Sequence, residues 1–237
     1  MTDGLGLLLA TAVGLGITHT LLGPDHYIPF IAMARVGGWS AGKTALVTAL
    51  SGVGHVLASV VLGTVGIALG ISADRLGWIE SRRGEAAGLL LLGFGLAYTA
   101  WGLWRALRGR PHQHRHEHPG TGSHDHRHAH GLDHAHLHPG RHPARLTPWV
   151  LFTLLVFGPC EVLIPLLMYP SALRSAGSVA LVAGAFGSAT IATMLVVVLA
   201  ARRGLALLRL PALERYSHAI AGGAISLCGL AVTVLGL

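Results

Sequence analysis

The chain has 237 residues, 52% of them hydrophobic and only 11% charged, with a mean hydropathy of +0.59 and a formal net charge of +7. Water-soluble domains carry about a quarter charged residues, so this composition excludes an ordinary soluble fold and predicts an all-α polytopic membrane protein. The basic excess is clustered between apolar runs instead of striping a soluble domain, so no nucleic-acid partner is expected.

Along the chain, Met1-Thr2-Asp3-Gly4 carries no positive n-region, and no cleaved secretory signal is expected. Apolar stretches long enough to span hydrocarbon, about 20 residues each, fall near 4–34, 43–71, 85–107, 147–170, 176–200 and 217–237. The first and fourth contain Gly-Pro and are expected to be broken helices. The 33 glycines suit close helix packing, and Cys160 and Cys228 lie inside apolar segments where a disulfide framework is not expected.

With six spans, the connections 1–2, 3–4 and 5–6 share one side and hold thirteen of the 17 Lys and Arg residues. The other four are Arg75, Arg82, Arg83 and Arg174. The positive-inside bias then predicts a plasma-membrane protein of a bacterial inner-membrane type, with the 3–4 loop cytoplasmic and both termini outside.

The two halves align at a shift of 135 residues. Gly23-Pro24-Asp25-His26 falls on Gly158-Pro159-Cys160-Glu161, Ala45-Leu46-Val47 on Ala180-Leu181-Val182, and His55 on Thr190. At a shift of 134, Gly95–Leu103 meets Gly229–Leu237 with six of nine residues identical. Three helices per repeat is an odd number, so the halves (1–107 and 147–237) are expected to be inverted relative to one another. In such architectures, sites sit at interrupted helices near the midplane.

Ionisable residues are costly inside a membrane. Here they gather at the breaks: His19, Asp25 and His26 in the first span, Cys160 and Glu161 in the fourth, with His55 in the second. Imidazole, carboxylate and thiol together suit Ni²⁺, Co²⁺, Zn²⁺ or Cu²⁺ better than Mg²⁺ or Ca²⁺. Taken singly, His55 is as readily a helix–helix hydrogen bond, and Cys160 a packing residue; the group at a repeat-matched break favours ligation.

Residues 108–146 change character. Twelve histidines (His112, His114, His116, His118, His124, His126, His128, His130, His134, His136, His138 and His142) stand among Gly, Pro and Arg with no apolar periodicity. The segment is expected to lack regular structure without metal and to capture or buffer metal through neutral imidazoles.

At the first break the chain resembles the nickel/cobalt transporter superfamily, in its NicO or urease-accessory-type membrane branch. That family shows His-x4-Asp-His in an early helix, often ending Gly-Pro-Asp-His. Here His19 to Asp25-His26 is one residue longer, and Ser51-Gly-Val-Gly-His55 is similar to the family's second-helix histidine motif. The resemblance implies that Asp25, His26 and His55 bind Ni²⁺ or Co²⁺ in passage. Cys160 and Glu161 are added from the internal repeat alone.

The sequence is thus read as a metal transporter working by alternating access, not an enzyme. Its cargo is Ni²⁺ or Co²⁺, with Zn²⁺ compatible, and its partners are the ion, the bilayer and, as an open option, further copies of itself. The alternatives are a membrane accessory or sensor protein that hands metal to an enzyme, and a small-anion exporter. The latter would require a central Lys or Arg in a span.

Overall fold

The protein is described by a computed structural model covering residues 2–108, 112–118, 122–128, 147–158, 160, 162–169, 175–207 and 214–236. Helix α1 (Thr2–Leu22) turns at Gly23 into a 3₁₀ turn (Pro24–His26) and α2 (Ile28–Val36); α3 (Ala41–Ala68) and α4 (Ala73–Arg108) follow. After strands β1 (His112–His118) and β2 (Gly122–His128) come α5 (Thr147–Phe157), α6 (Leu163–Met168), α7 (Ala176–Leu207) and α8 (Ser217–Leu235). Five helices are long and apolar enough to cross a bilayer: Gly4–Leu22, Ala41–Ala68, Ala73–Arg108, Ala176–Ala206 and Ser217–Leu235. The chain is an α-helical integral membrane protein.

Helix α3 shows why lipid is the solvent. Its outward face carries Leu46, Leu50, Leu57, Val61 and Val65, each at least half exposed, whereas Thr44, Thr48, Ser51, His55 and Ser59 are fully buried. A water-soluble bundle would have the reverse pattern. Both expected breaks are present. Pro24 begins the 3₁₀ turn that ends α1, and residues 158–162 separate α5 from α6. The stretch expected as one span over 147–170 is therefore two short helices, neither long enough to cross alone.

Two expectations need correction. The third span, expected from residue 85, begins at Ala73, because Asp74, Glu80, Arg82, Arg83 and Glu85 lower the hydropathy of a segment that still folds as helix. Leu76, Glu80, Gly84 and Ala87 recur at helical spacing on its buried face. Within the His-rich segment, expected to lack regular structure, 112–118 pairs with 122–128 as an antiparallel hairpin. The His-x-His alternation has the period of a strand, and the register sets His112 opposite His128, His114 opposite His126 and His116 opposite His124. His130, His134, His136, His138 and His142 lie outside the described residues.

The packing crosses between halves. α1 lies against α7, while α5 and α6 lie against α3; α2 lies against α8, while α5 and α6 also touch α4. The most extensive pairing joins α4 to α8, and it is a glycine seam. A methyl group on Gly95 would fall on the backbone of Ser226, on Gly102 against Ala219, on Gly222 against Thr99, and on Gly229 against Leu92. Backbones meet directly there, which gives dispersion contact and costs little side-chain entropy.

Gly95→Val is expected to lower stability in detergent by about 1–3 kcal/mol or more through overpacking. Gly14→Val, where nothing lies within 4 Å, serves as the control. Comparable unfolding midpoints for the two variants would refute the seam as a main source of cohesion.

Candidate metal centre

Three histidines converge where α1 ends. His19 lies in the last turn of α1, His26 in the 3₁₀ turn and His55 midway along α3. One nitrogen from each lies within 4.8 Å of the others. The His26 ring stands nearly perpendicular to both neighbours, with centroids 4.7 Å from His19 and 4.9 Å from His55. His26 is 2% exposed and His55 fully buried.

The break creates this arrangement. Pro24 has no amide hydrogen and suits the first position of a helical turn, so the chain closes α1 and re-enters as a tight 3₁₀ turn. His26 then folds back over Gly23, where a methyl group would come within 2.6 Å of His26 Nδ1 and 2.9 Å of Asp25 Oδ1. Glycine at 23 is required by space, since its φ of −88° is open to any residue.

Hydrogen bonding orients two of the rings. His26 Nδ1 faces Gly23 O at 3.1 Å and Asp25 Oδ1 at 3.0 Å. Both are acceptors, so Nδ1 is the donor and, in the neutral ring, Nε2 holds the lone pair. His55 Nδ1 donates to Leu155 O at 2.9 Å, which leaves its Nε2 as an acceptor as well. These two Nε2 atoms lie 3.3 Å apart. Two lone pairs at that separation repel unless a cation lies between them. His19 Nε2 is also buried and has no hydrogen-bond partner among the described residues.

Asp25, expected as a ligand, here contacts the back of the His26 imidazole, an arrangement that fixes the ring's tautomer and orientation. A cavity of about 20 Å³, room for about one water, runs beside Asp25 to Gly158.

The second break contributes differently. Leu155, on the last turn of α5, supplies the carbonyl that orients His55. Cys160 is fully buried among Leu163, Leu167, Val182 and Phe186 and is not brought into the histidine group. Glu161 lies outside the described residues.

Two residues that the sequence reading passed over hold this break. Arg83 donates to Phe157 O at 3.3 Å, Gly158 O at 2.8 Å and Ser59 Oγ at 2.9 Å. It also pairs with Glu80 at 3.2 Å. Glu80, fully buried, receives the amide of Cys160 at 3.4 Å. Carbonyls freed at the end of α5 are thus met by a guanidinium, and an amide beyond the break by a carboxylate. The legible signal was a Glu-x-x-Arg pair at helical spacing just before an apolar run.

Arg83→Gln leaves Glu80 buried without its cation, and about 3–5 kcal/mol of destabilisation is expected in chemical unfolding. The double variant Glu80→Gln with Arg83→Gln buries no charge and should recover most of that loss. A double variant as weak as the single one would show that the pair acts through something other than charge compensation.

Compared with known proteins, the chain matches no family model, no curated protein and no solved structure.

Proposed function

We propose that the protein transports a divalent transition-metal ion across the membrane, with Ni²⁺ or Co²⁺ as the cargo that best fits and His19, His26 and His55 as its binding site. The supporting observation is the pair of Nε2 lone pairs facing each other at 3.3 Å. Metal–imidazole bonds of about 2.0–2.1 Å put two nitrogens of a tetrahedral site about 3.3–3.4 Å apart. A shared proton would join His26 to His55 but leave the buried Nε2 of His19 without a partner among the described residues. A metal ion takes all three once His19 moves in from the wider spacing of the cluster.

Neutral imidazoles favour borderline cations over Mg²⁺ and Ca²⁺. Asp25, 3.0 Å from His26, brings a negative charge toward an ion held where water is scarce. A site between two interrupted helices, with helices exchanged between the halves, suits inverted repeats that rock about it. In that reading α1–α4 and α5–α8 are the repeats, and chain segments 1–36 and 147–168 are equivalent broken elements. The His-rich segment would capture or buffer metal at the membrane face, and the basic loops argue for placing that face in the cytoplasm.

Proteoliposome flux of Ni²⁺ and Co²⁺ is the direct test. His26→Ala and His55→Ala are each expected to reduce flux at least tenfold and to abolish high-affinity Co²⁺ binding. Unchanged flux in both variants would refute the site, and binding without flux in the parent protein would make it a metal-holding accessory protein instead.

Gly23→Ala should weaken Co²⁺ binding tenfold or more, because the added methyl displaces the His26 ring. Gly38, whose φ is +57° in the α2–α3 turn and which has nothing within 4 Å, is the comparison site. Its replacement by Asn, tolerated in that conformation, should leave binding unchanged; equal effects at 23 and 38 would exclude a local action on His26.

A further inference from the structure

The inner face of α3 is hydroxylic over most of its length. Thr44, Thr48, Ser51, His55 and Ser59 are all fully buried, and at 100° per residue they fall within an arc of about 80°. His55 on this face points to the metal centre, so the hydroxyls above and below it are in line with that centre.

Their hydrogen bonding sets three hydroxyls apart. Within the α-helices, every other threonine whose side chain is described donates to the carbonyl four residues back. Thr48 and Thr190 do not, and neither they nor Ser51 has a partner among the described residues. Thr190, on α7, stands level with residues 52–56 of α3, between the Gly52–Ile191 and Gly187–Val56 contacts, and faces Gly16 of α1. It is also the repeat equivalent of His55. A hydroxyl turned away from its own helix carbonyl, buried and without a protein partner, is unfavourable in a dry interior. It becomes favourable when water or an ion visits.

The two directions along this face differ. Toward the end of α3, Ser59 accepts from Arg83, which is fastened to Glu80, Phe157 and Gly158. That direction is closed by a fixed cation. Toward Ser40 lie Ser51 and Thr48. The Ser59–Arg83 and Gly66–Leu76 contacts show that α3 and α4 run antiparallel. The Ser40 end is therefore the end at which α4 leads into the His-rich hairpin.

We propose that Thr48 and Ser51, with Thr190 at the inner end level with His55, line the passage along which a partly hydrated divalent cation moves between the histidine centre and the membrane face bearing the His-rich segment. The proposal rests on the metal reading of that centre and adds the route and its chemistry. Hydroxyl oxygens replace part of the hydration shell without holding the ion, since neutral oxygens bind such metals more weakly than imidazole.

The test uses the full chain in proteoliposomes, with Co²⁺ as the probe. The triple variant Thr48→Val, Ser51→Ala, Thr190→Val should keep Co²⁺ affinity and the bound-Co²⁺ absorption spectrum within threefold of the parent. Its thermal stability should be equal or higher, and its flux at least tenfold lower. Flux within twofold of the parent overturns the proposal.

A second arm does not depend on metal. In a chain with Cys160→Ala and Cys228→Ala, Thr48→Cys and Ser51→Cys should react with a cationic, membrane-impermeant thiosulfonate at least tenfold faster than the lipid-facing Leu50→Cys. Equal rates overturn the passage. If His26→Ala leaves Co²⁺ binding intact, the metal reading of the centre fails, and this labelling comparison alone decides whether the face is a water-bearing path.

Discussion

A helix interrupted in an apolar interior releases amides and carbonyls that have no water to meet them, and this chain has two such interruptions, at residues 23–27 and 158–162. How each set of freed groups is satisfied accounts for most of what is distinctive in the structure. At the first break a 3₁₀ turn recovers part of the hydrogen bonding, and Gly23 O receives both the His26 amide and the His26 ring. At the second, Arg83 and Glu80 meet groups on either side of Gly158. The histidine centre lies between these two repairs and uses a group from each: Asp25 and Gly23 orient His26, and Leu155 orients His55. Ring orientation is thereby fixed by hydrogen bonds to two backbone carbonyls and one carboxylate.

The legible part of this centre was the part written as punctuation. Gly-Pro inside an apolar run marks a break on steric grounds, and histidines near a break stand out because so few ionisable residues are tolerated there. His19, His26 and His55 do come together, although seven residues and a corner separate the first two. The repeat shift placed Cys160 opposite Asp25 in sequence, but equivalence under a shift says nothing about where a side chain points, and Cys160 packs among apolar residues. Glu80 and Arg83 were hidden because hydropathy reads a charged pair as the end of a span. Two opposite charges one helical turn apart can instead be buried together.

The hydroxyl face of α3 was legible in principle. Positions 44, 48, 51, 55 and 59 carry polar residues at helical spacing inside a segment whose other residues are mostly apolar. Composition alone conceals it, since Thr and Ser barely change mean hydropathy, and back-bonding to the helix carbonyl is their usual fate in membranes. Only the side-chain geometry distinguishes Thr44, which bonds Ser40 O, from Thr48, which has no such bond. The strand period of the His-rich segment was likewise present in its alternation, but its lack of apolar residues gave no face to bury and hence no reason to expect a sheet.

The seam between α4 and α8 also limits how the molecule can deform. Gly88, Gly95 and Gly102 recur every seven residues, as do Gly222 and Gly229 across from them. Sliding one helix along the other would carry each notch away from its counterpart and drive side chains into backbone until a full repeat, about 10.5 Å, had passed. Translation along this contact is therefore a sequence of high barriers, whereas a small rotation about it preserves every notch. The same glycines that bring α4 and α8 into backbone contact thus fix their register, so that tilting about the seam meets less resistance than sliding along it.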